Sequence, residues 1–202
     1  ADPTRGGGAI TLAATPAIKK LGVPSRGRIF EIDPKIEYMI TPPRMHLYME
    51  YSCKVYKVFL EFIAKEDIHV YSIDESFLDV TSYLKLYQVN AKELAKKILD
   101  RIYEKTGLTA TVGIGTNLYL AKIAMDISAK HNADRMAYLN EDLYRQTLWH
   151  HVPLTDFWML GNFSIKFGQF LVAGVHIVAN TGKYATGSCA FFATAAIFSS
   201  HF

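Results

Sequence analysis

The sequence has few cysteines, no run of apolar residues long enough to predict a membrane helix, and no signal peptide at its start. Its 202 residues include two cysteines, Cys53 and Cys189, which lie far apart and in no metal-ligand spacing. This excludes a disulfide framework, indicates no zinc site and is typical of a reduced cytosolic protein. The charge-free residues 184–198 are too short to predict a membrane span. The chain starts at Ala1 rather than at a methionine, as if cut from a longer protein.

An excess of charge of one sign is also lacking. The formal net charge is +3 and the isoelectric point is about 8.7. A mildly basic protein is compatible with a polyanionic partner, but a protein that coats DNA is usually more basic. Half of the residues are hydrophobic, which supplies enough apolar material for a globular core.

The spacing of apolar residues predicts the order helix, strand, strand, helix, strand in the middle of the chain. The first helix is predicted over residues 44–63, and the second begins at Asn90, which forms a capping box with Glu93. The predicted strands of this central part cover residues 68–73, 77–80 and 109–114. Outside it we predict a strand at 9–13, a helix ending near Gly22, a helix from Asn117 to about Lys130, and a strand at 136–139.

This order matches a split β-α-β, or ferredoxin-like, fold without its first strand. In that topology the first strand lies inside the sheet, so its absence leaves two interior ladders without backbone partners. We therefore predict an α/β (α+β) fold with one interior strand missing. Residues 184–198 have no clear helical face, and we predict no element there.

Two adjacent carboxylates, Asp74 and Glu75, follow the apolar segment 68–73. Divalent ions that act in phosphoryl transfer need hard oxygen ligands, and carboxylates at strand ends provide them. Because adjacent strand residues point to opposite faces, the two can share a site only if the turn redirects one of them. The alternative is that Asp74 and Glu75 only solvate a hairpin turn. Burial of the flanking residues favours a functional role, since charges there are costly.

Lys122 and Lys130 lie eight residues apart on the predicted helix that follows strand 109–114. A lysine on this helix is suited to hold phosphate as a point charge. On spacing alone, two solvated surface lysines are the simpler interpretation.

Together these segments resemble the Y-family (UmuC/DinB-like) translesion DNA polymerases. Their motif sequences are most similar to those of the UmuC-like branch of Gram-positive bacteria. Residues 71–79, Tyr-Ser-Ile-Asp-Glu-Ser-Phe-Leu-Asp, resemble the catalytic hairpin of the family. Residues 113–117 with 120–130 resemble its second motif, residues 2–7 with 13–16 its fingers, and 154–158 the entry to its thumb. The resemblance extends over about residues 1–161.

The resemblance implies a ferredoxin-like polymerase palm lacking its first strand, with part of the fingers and the start of a helical thumb. The implied divisions are a fingers segment at 1–33, a palm at 34–153, the start of a thumb at 154–180, and an unassigned tail at 181–202. The family's first motif, an Asp on the first palm strand, is absent, and so is its little-finger domain. The thumb motif is altered to Met-Leu-Gly-Asn-Phe at 159–163.

The resemblance also implies residue roles. Asp74 would bind two Mg²⁺ ions and Glu75 the catalytic one. The residues implied at the nucleotide are Lys130, Lys19, Ile10, Leu12 and Thr15, and those implied at DNA are Lys122, Gly161 and Lys166.

The implied partners are primed template DNA, deoxynucleoside triphosphates and a sliding clamp reached through regions outside this chain. No membrane partner is expected. The implied role is DNA-damage tolerance in the cytoplasm, including the SOS response. Without the first Asp we expect this chain alone to be inactive. The alternatives are a non-catalytic DNA-binding remnant and a nucleotide cyclase, which would need a different hairpin signature.

Overall fold

The structure, a computed structural model, describes residues 1–160 and 191–195. These residues form two compact units, one over residues 1–50 and one from Tyr51 onward. Helix α2 begins in the first unit and continues into the second. None of the helices in these described ranges is long and apolar enough to cross a bilayer.

The first unit contains short helices and little regular sheet. A 3₁₀ helix at Pro3–Gly8 is followed by α1 (Pro16–Lys20), whose first turn is capped by the Thr15 hydroxyl. The strand predicted at 9–13 is wrong, because only Ile10 pairs, in a single bridge with Arg28. No neighbouring segment in the described part of this unit extends that pairing into a ladder.

The second unit carries most of the regular structure, and the predicted central order is confirmed. Helices α3 and α6 were not predicted. In chain order the elements are α2 (Met45–Leu60), β1 (Ile68–Val70), β2 (Glu75–Asp79), α3 (Thr81–Tyr87), α4 (Ala91–Thr106), β3 (Thr111–Gly115), α5 (Leu118–Ile123), β4 (Met136–Leu139), α6 (Glu141–Thr147) and β5 (Phe191–Ala195).

The apolar faces of α2 and α4 form the main core with the sheet. Phe59 of α2 and Ile98 of α4 belong to one buried cluster with Leu78 of β2 and Val112 of β3. The predicted start of α4 is confirmed by the capping box, in which the Asn90 side chain accepts from the Glu93 amide at 2.9 Å. Such caps satisfy amides that the first helical turn leaves unpaired.

The five strands are arranged in the order β1-β2-β5-β3-β4. Strand β5 lies between β2 and β3 and is antiparallel to both. The interior position that the sequence leaves empty is thus occupied by residues 191–195, for which we predicted no element. The interior strand is thus the last of the described strands in the sequence.

Strand β1 is shorter and more exposed than predicted. We predicted a strand over residues 68–73 from its apolar residues, but the strand ends at Val70 and both His69 and Val70 are exposed. The reason is its place at the edge of the sheet, where it pairs only with β2. The residues between Val70 and Glu75 form the turn that carries the first carboxylate.

Candidate active site

The two adjacent carboxylates lie on either side of a turn boundary, because Asp74 ends the turn and Glu75 opens β2. The amides of Tyr71 and Ser72 both donate to the Glu75 carbonyl at 3.0 Å, which closes the turn. The Ser72 hydroxyl donates to Asp74 Oδ1 at 2.6 Å. Asp74 therefore lies in the turn, and the alternation of β2 begins only at Glu75.

Glu75 is paired with a buried lysine, Lys122, which lies on α5. Lys122 Nζ lies 2.9 Å from Glu75 Oε1 and 2.7 Å from Oε2. The same ammonium lies 3.0 Å from Asp126 Oδ2. The Lys122 side chain is only 6% exposed, compared with 17% for Glu75 and 22% for Asp126. One cation is thus shared by two partly buried carboxylates.

The contact of Lys122 with DNA stays a prediction. In the structure its ammonium is bonded to two carboxylates, and its side chain is 6% exposed. Burial opposes its charge, but the Glu75 hydrogen bond and the Asp126 charge outweigh burial, so the pKa of Lys122 is raised. Lys122 therefore serves as an internal counter-ion.

Asp126 was missed in the sequence, although a signal for it was present. It lies four residues after Lys122 and four before Lys130, and side chains at this spacing meet on one helical face. Lys130 Nζ is 3.1 Å from Asp126 Oδ1, and the Lys130 side chain is half exposed. The predicted helix 117–130 is in fact α5 followed by a π-helical turn at Ala124–Ser128 and a 3₁₀ turn. The charged row Glu75–Lys122–Asp126–Lys130 leads from the hairpin to the surface.

Glycines on β3 allow this row to form. A Cβ atom added at Gly113 would collide with the Ala121 carbonyl and the Met125 amide, and one at Gly115 with the Ala121 amide. The backbone of α5 thus lies directly on β3. This close approach holds Lys122 and Asp126 near the hairpin.

Aromatic rings cover the hairpin. Trp158 donates its indole N–H to the Tyr71 hydroxyl at 3.1 Å and packs against Phe77 at 6.1 Å between ring centroids. Tyr119 lies 6.2 Å from Trp158 between ring centroids. The Lys122 ammonium is 5.9 Å from the centre of the Tyr71 ring. The rings thus pack around Tyr71 and Phe77 of the hairpin, and Tyr71 lies beside the ammonium of the charged row.

Burial raises the pKa of Tyr119 from its ordinary value of 10.0 to about 12. Between these values the folded state retains a proton that the unfolded chain loses. The contribution of Tyr119 to the free energy of unfolding is therefore fully present below pH 10 and is lost as the pH rises towards 12. We expect the free energy of unfolding to fall less over this range in Tyr119→Phe than in the unaltered chain. Denaturant titrations across this range test this, and equal losses in both proteins would contradict it.

The remaining predicted residues lie in the first unit or outside the described residues. Lys19 lies on α1, Thr15 caps it, and Ile10 and Leu12 are exposed, all within the first unit. Their predicted nucleotide contacts remain predictions. Gly161 and Lys166, predicted at DNA, lie outside the described residues.

The two carboxylates are chemically suited to bind a divalent ion, but the described residues supply too few ligands to hold one. Asp74 and Glu75 offer hard oxygen donors of the kind Mg²⁺ prefers. In the described part of the chain, however, no three His, Cys, Asp or Glu side chains form a group that could hold a metal ion. Both oxygens of Glu75 are already bonded to Lys122. The described residues alone therefore do not form a two-metal site.

Comparison with known families decides the relationship. Residues 3–126, more than half of the chain, match the model of the impB/mucB/samB family. The chain belongs to this family. Members of the impB/mucB/samB family and its DNA polymerase IV relatives are Y-family proteins, so the predicted resemblance is confirmed.

The impB/mucB/samB chain is 37% identical over 157 residues to "Putative UV-damage repair protein UvrX" of Bacillus subtilis (strain 168), covering 76% of this chain and 36% of that relative. It is 37% identical over 149 residues to DNA polymerase IV 2 of the same strain, covering 73% and 35%. The chain thus spans about a third of the length of these curated relatives.

Solved structures agree on the fold. The crystal structure of DinB from Sulfolobus solfataricus is 26% identical with a TM-score of 0.57, covering 76% of this chain and 44% of that one. A Dbh ternary complex is 25% identical with a TM-score of 0.62, covering 81% and 47%. The predicted α/β class, a mixed fold of the Y-family polymerase kind, is confirmed. Y-family polymerases are in general metal-dependent.

Proposed function

We propose that this chain is part of a DNA-directed DNA polymerase of the Y family, which joins a deoxynucleotide to a primer 3′-hydroxyl during translesion synthesis and DNA repair. The observation that supports this proposal is the carboxylate pair Asp74 and Glu75 in the hairpin, from which the charged row runs through Glu75 to Lys130. We further propose a cytoplasmic location, primed template DNA and deoxynucleoside triphosphates as partners, and a clamp contact through other regions.

The proposed chemistry is attack of the primer hydroxyl on the α-phosphate with release of pyrophosphate. Two Mg²⁺ ions would lower the charge repulsion of this step. Asp74 and Glu75 are proposed ligands. Lys130, half exposed at the outer end of the row, is the proposed contact for the triphosphate, with Lys19, Ile10, Leu12 and Thr15 of the first unit as further nucleotide contacts.

We propose that the chain by itself does not extend primers, because its described residues gather too few carboxylates for two ions. The test is primer extension with Mg²⁺ and four deoxynucleotides, comparing the chain with a version extended upstream to carry the first palm strand. We expect product only from the extended version. Product from neither would contradict the polymerase proposal.

We expect Asp74→Asn to abolish divalent-dependent triphosphate binding. The substitution keeps the size of the side chain but removes the charge proposed to hold both ions. Binding of a fluorescent deoxynucleotide is measured by anisotropy, with and without Mg²⁺ or Mn²⁺. Asp100→Asn, on the exposed surface of α4, is the matched control and keeps the wild-type response. An Mg²⁺ dependence that survives in Asp74→Asn would remove Asp74 from the site.

A non-catalytic DNA-binding role is the second candidate, and the pairing of Glu75 with Lys122 favours it because the carboxylate is already neutralised. DNA binding that weakens steeply with salt, without incorporation by the extended version, would support this role.

A further inference from the structure

The interior strand of the sheet, β5, is distant in sequence from the strands that it pairs with. Strands β1 to β4 all lie between residues 68 and 139, whereas β5 comes from residues 191–195. It pairs with β2 over five residues, from Glu75 opposite Ala195 to Asp79 opposite Phe191. It pairs with β3 over five more, from Thr111 opposite Ala195 to Gly115 opposite Phe191.

The place that β5 fills must be occupied by some strand. The inner edges of β2 and β3 face each other across it, and most residues of both strands are buried. Buried backbone N–H and C=O groups that lack partners are costly, so an empty place would destabilise the whole sheet. The four other strands thus form an acceptor with two hydrogen-bonding edges.

Recognition at such an acceptor depends mainly on the backbone. A strand added to a sheet edge gains its affinity from main-chain hydrogen bonds, and its side chains add selectivity. The sequence of β5, Phe-Phe-Ala-Thr-Ala, carries no charge, which suits a position between two buried strands. The physical requirement is therefore an extended, uncharged segment that runs antiparallel to both neighbours.

We propose that the position between β2 and β3 is a strand-binding site, with residues 191–195 as its resident strand, and that an uncharged extended peptide added in trans can replace them. The occupant is a copy of this segment, offered as a separate peptide. The tests below measure strand exchange and amide protection, whereas the proposed function is tested by nucleotide incorporation, so failure of the one is distinguishable from failure of the other.

The first test uses the full chain with Ala193→Pro, since proline cannot donate a ladder hydrogen bond and weakens the resident strand. Hydrogen exchange is read at the amides of β2 and β3. We expect these amides to be protected in the unaltered chain, to lose protection at least tenfold in Ala193→Pro, and to regain it when the peptide is added. Protection that Ala193→Pro leaves unchanged, or that the peptide fails to restore, would overturn the proposal.

The peptide carries residues 191–195 with a lysine at each end for solubility and a fluorophore for anisotropy. We expect it to bind Ala193→Pro at least tenfold more tightly than the unaltered chain, because less of the site is occupied. A matched peptide with proline in place of its central alanine should bind at least tenfold more weakly than the first. Equal binding of both peptides would show adhesion to apolar surface and would overturn the proposal.

A second variant keeps the proposal testable if Ala193→Pro does not fold. Ser76 and Thr194 are register partners, so cysteines at both positions, with Cys53→Ser and Cys189→Ser, can form a cross-strand disulfide. We expect the oxidised protein to exclude the peptide and the reduced protein to bind it. Failure of this disulfide to form, or equal peptide binding in both redox states, would overturn the proposal.

Discussion

Replacing Gly113 with alanine is expected to cause the largest loss of stability of any substitution that we propose. The added Cβ would collide with the Ala121 carbonyl and the Met125 amide, and these are backbone atoms that no rotamer change can move. Overpacking of a buried contact costs roughly 1–3 kcal/mol when side chains can adjust, and here the helix must shift as a whole. We expect loss of cooperative unfolding, or a free energy of unfolding lower by more than about 3 kcal/mol, in denaturant titrations followed by circular dichroism.

The matched control is Gly8→Ala, because a Cβ at Gly8 meets no atom within 4 Å. It should change the free energy of unfolding by less than about 0.5 kcal/mol. A Gly113→Ala protein as stable as the Gly8→Ala control would mean that α5 does not lie on β3, and the charged row would lose its structural basis.

Replacing Lys122 with methionine is expected to have the next largest effect. Methionine fills similar space but leaves Glu75 and Asp126 without their shared cation. Removing one partner of a buried ion pair costs about 3–5 kcal/mol, and partial exposure of the two carboxylates places the expected loss near the lower end, about 3 kcal/mol. The free energy of unfolding at neutral pH is the measurement.

Lys130→Met is the control for this prediction. Its side chain is half exposed and contacts the same Asp126, so its loss should cost less than about 1 kcal/mol. Equal stabilities of the two lysine variants would show that Lys122 does not hold the carboxylates together.

The carboxylate hairpin could be located from sequence because its signal is local. Asp74 and Glu75 follow an apolar segment and precede another, and charges in such a place need a role. The geometry of the turn was not predictable in the same way. The strand ends at Val70 rather than at residue 73, because β1 lies at the edge of the sheet and its pairing stops there.

The burial of Lys122 and its pairing with Glu75 could not be predicted from the sequence. On spacing alone, Lys122 and Lys130 are most simply interpreted as two solvated surface lysines, but spacing along a helix does not reveal which face is covered. Its partner Glu75 lies 47 residues earlier in the chain. Only the packing of α5 against β3, which Gly113 and Gly115 permit, brings the two together and removes Lys122 from solvent.

The sequence by itself determined the elements that short-range interactions specify. The capping box at Asn90 and the strand Met136–Leu139 were both predictable, because each depends on residues a few positions apart. The order of central elements, and with it the fold class, follows from such local signals.

Only the tertiary structure decided which strand fills the interior of the sheet and which charge neutralises Glu75. The first depends on β5 reaching two buried strands from the end of the chain. The second depends on burial of Lys122 beside two carboxylates. Backbone pairing between distant strands and the cost of isolated buried charges are set by contacts distant in sequence, and no local pattern records them.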